Sequence, residues 1–311
     1  GLIIRERRTG VITLGMIVRL GVMMVTMGTL VTFKPHWGGA IGAITFLVGM
    51  CTEALIAFWH GRQTQVLRTP VSPSSDSHPE TTVSSVLHFM FPLLISGMAA
   101  NSGRMLLNAG LAREAVPAEV LAAFSVGWSL VWVIAAAVYG LHQTVLVFAD
   151  GGDQQSVPAI RRFFVMMVIG CVLLICLLSF TPLAEIVLRQ VMGTPERLVA
   201  GAAGAMRWLV LLPIVLAWQE WFTGHLLLQR CTNVLLWGKV INVIIVACAA
   251  GPCYPALAAL GAGVGSVATL LGHCGEGILL TAASWRHRRL SVATFGEDYA
   301  KETDMPAATV D

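Results

Sequence analysis

The apolar residues of the chain gather into eight long stretches, near 10–33, 39–60, 84–112, 117–148, 159–182, 199–228, 233–250 and 258–284. Each runs continuously apolar instead of alternating every second residue, which predicts helices and not strands. At about 1.5 Å per residue, stretches of this length approach or exceed a hydrocarbon core of about 30 Å. Helices apolar on every face are surrounded by lipid or protein, not water. The expected fold is therefore all-α, a polytopic membrane helical bundle of about eight transmembrane helices. Residues 69–84, rich in Pro and Ser and bearing acids, read as an exposed linker, and the polar residues 291–311 as a disordered tail.

Two of these helices occur twice. Residues 1–60 recur without a gap at 224–283, a shift of 223 positions. The register pairs Gly15 with Gly238, Gly38 with Gly261, Gly49 with Gly272, Cys51 with Cys274 and Glu53 with Glu276. Glycines and an acid kept in phase across two helices and their loop point to duplication, and so long an interval fits a lobe of several helices, not a solenoid repeat. The chain then reads as the last two helices of a first lobe (1–68), a cytoplasmic connector (69–84), a complete six-helix second lobe (85–285) and a cytoplasmic tail (286–311). Since residues 84–222 precede the second copy and nothing precedes the first, about four further helices are expected upstream of Gly1.

Composition agrees with the pattern. Apolar residues make up 56% of the chain and charged residues 12%, against about 25% charged in soluble proteins. Mean hydropathy is +0.76. Arg5, Arg7, Arg8, Arg62, Arg68, Arg161, Arg162, Arg230, Arg286, Arg288, Arg289 and Lys301 fall on one side of the expected spans, and only Lys34, Arg113, Arg189 and Arg197 on the other. By the positive-inside rule the first group and the C-terminus face the cytoplasm, in a multi-pass protein of the cell membrane. The formal charge of +3 thus records topology and gives no reason to expect a nucleic-acid partner. The seven cysteines show no metal-ligand spacing, and no phosphate-binding glycine loop or HExxH is present, so no cofactor, metal or enzymatic activity is expected.

Charges inside a bilayer cost roughly 2.5 to 3.5 kcal/mol each on insertion scales and require partners, a wet cavity or a role. Arg19 and Glu53 are expected at similar depth in the first repeat, with Lys239 and Glu276 on the corresponding helices of the second. They are candidates for structural or coupling ion pairs. Asn101, Arg104 and Asn108 lie at i, i+3 and i+7, on one helical face, where a cation flanked by amides is suited to hold an anion. Arg207 is a second cation in the same lobe, close to Pro213, whose ring is expected to kink its helix. Trp128 and Trp132 are candidates to line a cavity with Ser125 and Ser129. His142, Gln143 and His273 are candidates for carrying protons.

Several of these residues carry a family resemblance. Arg207, Pro213, Thr223 and Gly224 in RWLVLLPIVLAWQEWFTG, Arg104 and Asn108 in NSGRMLLN, and the glycine-rich GAGVGSVATLLGHCGEG resemble motifs of the progressive ankylosis (Ank) protein family, in order and at matching spacing. The chain departs from that pattern at Gln219 and Glu220, where the family has a basic residue nearby. The resemblance implies a MATE-like fold within the flippase superfamily of multidrug extruders and lipid-linked oligosaccharide flippases. It also implies export of pyrophosphate, citrate or similar small anions by alternating access of two lobes. On that reading Asn101, Arg104, Asn108 and Arg207 bind the small anionic substrate, and the complete protein is monomeric in the lipid bilayer. The competing readings are a lipid-linked oligosaccharide flippase or multidrug extruder, and a non-transporting membrane scaffold.

Overall fold

The computed structural model describes residues 9–63, 83–113, 116–148 and 156–303. Arg5, Arg7, Arg8 and Arg68, most of the 69–84 connector and residues 304–311 lie outside the described residues. The described backbone is helical apart from short turns, without strands. The chain forms two compact units, Gly1–Glu80 and Thr81–Asp311.

The first unit is a helical hairpin of α1 (Thr9–Phe33) and α2 (Gly39–Gln63). A short helical turn, Pro35–Trp37, and Gly38 join them. Large apolar side chains such as Ile17, Met24, Phe33, Phe46 and Leu55 are uncovered within this unit. Such surfaces are compatible with a hydrocarbon solvent.

The second unit contains α3 (Val83–Leu111), α4 (Pro117–Ala135), α5 (His142–Phe148), α6 (Ser156–Phe180), α7 (Leu183–Ile186), α8 (Glu196–Leu209), α9 (Leu212–Leu228), α10 (Thr232–Ala250), α11 (Tyr254–Leu257) and α12 (Gly263–Thr303). One core, around Val131, Ile175, Met206, Leu209 and Leu216, fills the space between α4, α6, α8 and α9. A second, around Leu107, Phe124, Val246 and Val264, joins α3, α4, α10 and α12.

Among the described residues six helices are long and apolar enough to cross a membrane, or seven when the bent pair α8–α9 counts as one span. Helix α3, the remaining stretch of the eight expected, carries Pro92, Asn101, Arg104 and Asn108 and is not among them. Its 29 residues measure about 44 Å along the axis.

Two of the expected spans are broken. Helix α8 ends at Leu209, four residues before Pro213, where the proline ring meets the carbonyl of a continuing helix. The axis bends there by 40°. The stretch 117–148 is interrupted between Ala135 and His142, with Gly140 at φ 108°, a conformation that excludes most side chains. The tail differs too, since α12 continues as helix to Thr303 through the region expected to be disordered. That segment has no proline before Pro306 to stop it.

The internal repeat is visible in three dimensions. Gly38 (φ 49°, ψ −122°) and Gly261 (φ 52°, ψ −124°) occupy equivalent positions with the same left-handed backbone. Each follows a three-residue turn, Pro35–Trp37 in one copy and Ala258–Leu260 in the other. Gly49 packs on Met23 and Arg19, and Gly272 on Val246 and Asn242, which are the same positions one repeat later. These glycines bring paired helices close enough for an acid on one to meet a polar group on the other.

Candidate functional site

In the first unit Glu53, one turn after Gly49, accepts a hydrogen bond from Arg19 Nη1 at 2.8 Å. In the second, Glu276 stands at the equivalent position, 3% exposed, and both its oxygens are taken. Lys239 Nζ lies 2.5 Å from Oε1 and Asn242 Nδ2 donates to Oε2 at 2.9 Å. Asn242 is the repeat equivalent of Arg19. The second copy has therefore replaced the arginine by an amide and moved the cation one helical turn earlier, to Lys239. Gly238, beside Lys239, leaves room for this, because a Cβ there would sit 3.3 Å from Glu276 Cγ.

Beside this buried acid, α3, α4, α10 and α12 flank a half-open cavity of about 270 Å³. Asn101 and Arg104 line it from α3, Lys239 and Asn242 from α10, and Thr269 and His273 from α12. Helix α4 supplies Phe124, Trp128 and Trp132, and the interruption after it Tyr139, together a wall of aromatic rings. Trp128 and Trp132 stack with centroids 5.2 Å apart and planes 17° apart. The Arg104 guanidinium lies over Trp128, 5.2 Å from the ring centroid, and meets no carboxylate within 4 Å among the described residues. Stacking on an aromatic face stabilises a guanidinium without neutralising it. His273 is tied down twice, its Nδ1 3.0 Å from Gln219 Oε1 and its carbonyl accepting from Gln219 Nε2 at 2.7 Å.

A second buried acid, Glu220 on α9, has a structural task. Its Oε2 accepts from the backbone N–H of Gly140 (2.8 Å) and of His142 (3.2 Å), and from His142 Nδ1 (2.5 Å). A helix interrupted inside a membrane exposes amides that water cannot reach, and this carboxylate satisfies them. Gly224, one turn later, lets α5 approach, since a Cβ there would come 2.6 Å from Val145.

Two of the expected anion-binding residues sit elsewhere. Asn108 shares the azimuth of Asn101 but lies about 10 Å further along α3. Leu107 is the last residue of α3 to line the cavity; beyond it Gly110 and Leu111 are buried and Gly110 meets Ala250, so the cavity has closed. Arg207 lies on the side of α8 away from its buried residues Ala202, Ala205 and Leu209, and does not line the cavity. Its Nε donates to the Ser179 carbonyl at 3.4 Å, the last turn of α6, where helix carbonyls lack partners and attract a cation. Ser125 and Ser129 also stay out of the cavity, with Ser129 Oγ bonded to the Ser125 carbonyl.

Sequence reasoning did not single out Gln219, Glu220 or Asn242 as site residues. For Asn242 a signal existed, because the repeat register aligns it with Arg19. Among the described residues no three His, Cys, Asp or Glu side chains gather as a metal site.

Comparison with curated proteins and with solved structures finds no match. The family model of the Progressive ankylosis protein (ANKH) matches residues 75–250, more than half of the chain and including α3, the aromatic wall and Lys239. Together with its bundle of apolar helices, this match shows that the chain is a multi-pass membrane protein belonging to the progressive ankylosis protein family.

Proposed function

We propose that the protein is a transporter, not an enzyme, that exports small anions such as pyrophosphate, citrate or similar organic anions by alternating access of two helical lobes. The observation that carries this reading is the unmatched charge of Arg104, held on Trp128 at the edge of a polar cavity within the bundle. A cation kept without a carboxylate in such surroundings is a site for an incoming one. Lys239 faces the same space with its charge already met by Glu276. The α4–α5 interruption and the α8–α9 bend supply the discontinuous helices that rocking transporters use. By the positive-inside argument the C-terminus and the basic loops are cytoplasmic.

The acids weigh against a cationic-drug extruder. Glu276 is engaged by Lys239 and Asn242, and Glu220 by the α4–α5 break. A pocket of about 270 Å³ is small for a lipid-linked sugar, and a scaffold needs no such pocket. The test is to compare anions released by cells with and without the full-length protein. Protein-dependent anion release that falls in Arg104→Gln at equal membrane abundance is expected. Indistinguishable media with and without the protein would end this reading.

A further inference from the structure

We infer that, within the class of small anions, this cavity is built for a monoanion with a flat apolar body, an aromatic carboxylate, in preference to compact polyanions such as citrate or pyrophosphate. The inference rests on the anion-site reading above and narrows it.

Charge is the first argument. The lining brings two cations, Arg104 and Lys239, and the adjoining Glu276 cancels the second at 2.5 Å. Counting His273 as uncharged, as an ordinary imidazole mostly is at neutral pH, one positive charge is left over. One carboxylate balances it. A trivalent anion would leave about two negative charges uncompensated beside a strip of aromatic faces; because the pocket is half-open and Arg104 itself is exposed, the preference for a monoanion comes from partial desolvation.

The wall is the second argument. Phe124, Trp128, Trp132 and Tyr139 form an unbroken strip with successive centroid separations of 6.1, 5.2 and 5.5 Å, and all four face the cavity. Such a strip offers chiefly stacking surface, its donors being the single N–H or O–H groups of Trp128, Trp132 and Tyr139, whereas a phosphate takes several convergent charge-assisted bonds. Arg104 is stationed at Trp128, so a carboxylate paired with the guanidinium has Trp132 and Tyr139 beside it for the rest of the ligand. Size is the third argument, since about 270 Å³ falls at the lower limit of small-molecule sites and suits a single ring with a short acidic arm.

The experiment is equilibrium binding by titration calorimetry to the full-length protein in nanodiscs, with 4-hydroxyphenylacetate, acetate, citrate and pyrophosphate as probes. The aromatic acid is expected to bind about tenfold or more tightly than the other three. Trp132→Leu should weaken the aromatic acid roughly 3- to 10-fold and leave acetate unchanged. Arg104→Gln should weaken every anion by about ten- to a hundredfold. The ranking on the unmodified protein decides the matter even where a variant folds poorly. Citrate or pyrophosphate binding as tightly as the aromatic acid, in an Arg104-dependent manner, would overturn the narrowing and leave the anion site intact. Aromatic binding indifferent to Trp132→Leu would overturn it equally. Absence of Arg104-dependent binding by any probe would remove the anion site and the narrowing together.

Discussion

Glu276→Gln removes the carboxylate beside Lys239 while keeping the shape of the side chain. Glu276 is 3% exposed and packed against Gly238, and the ammonium it holds is 2.5 Å away. Breaking a buried pair by deleting one member costs about 3–5 kcal/mol, because the survivor is left charged and desolvated. Lys239 retains 24% exposure and borders the cavity, where water can reach it, so the lower end applies, about 3 kcal/mol. That is roughly a hundredfold in the unfolding equilibrium. Lys239→Met removes the opposite charge, and the double variant Lys239→Met/Glu276→Gln removes both. The double variant should recover about 2 kcal/mol of the summed single losses, within the range for residues in direct contact. Reversible unfolding of the purified protein in mixed micelles, driven by added dodecyl sulfate, measures all four corners of this cycle. A Glu276→Gln variant within 0.5 kcal/mol of the parent (about twofold), or losses that simply add, would refute the view that this pair holds α10 to α12 by charge compensation.

Three further outcomes follow from the packing. Glu220→Gln should lose charge-assisted bonds worth about 1.5 to 3 kcal/mol each to Gly140 and His142, and amides 140–148 should exchange hydrogen faster; unchanged exchange would show that the acid does not secure the break. Gly272→Val should lower the melting temperature by the equivalent of about 1–3 kcal/mol, since even a Cβ there comes 2.7 Å from Val246 and 2.9 Å from Asn242 Oδ1, whereas Gly204→Ala, with open space around it, should be neutral or slightly stabilising. Arg207→Gln should lower stability modestly and leave anion binding unchanged; loss of binding at normal stability would return Arg207 to the site.

How much of this was legible in the sequence differs by level. The helices were, because continuous apolar runs bounded by polar residues leave few alternatives in a membrane, and the repeat register brought Glu53 and Glu276 to the helix pairs where they are found. The interruption at Gly140 was hidden because apolar runs, VWVIAAAV and VLVF, continue on both sides of the short polar step at His142–Thr144. What marks it is Glu220, eighty residues away, and no local pattern links the two. Arg207 and Asn108 show a different limit. Helical spacing fixes the angle of a side chain on its own helix, but not which neighbour that angle faces, nor where along the axis a cavity closes. Asn101 and Arg104 share an azimuth with Asn108, and only the contact of Gly110 with Ala250 decides that the first two line the pocket. The aromatic wall lay between these cases, since the i, i+4 spacing of Trp128 and Trp132 suggested a cavity surface, while the contributions of Phe124 and Tyr139 required the fold.

The central claim is that Arg104 is the recognition point of an anion pathway. Its most direct test is flux of labelled citrate and labelled 4-hydroxyphenylacetate from proteoliposomes containing the purified full-length protein or its Arg104→Gln variant, with vesicles matched for protein content. The account predicts anion efflux well above protein-free vesicles for the unmodified protein, reduced about ten- to a hundredfold at subsaturating substrate in the variant. Efflux of both anions at the level of empty vesicles, or equal in protein and variant, would contradict it.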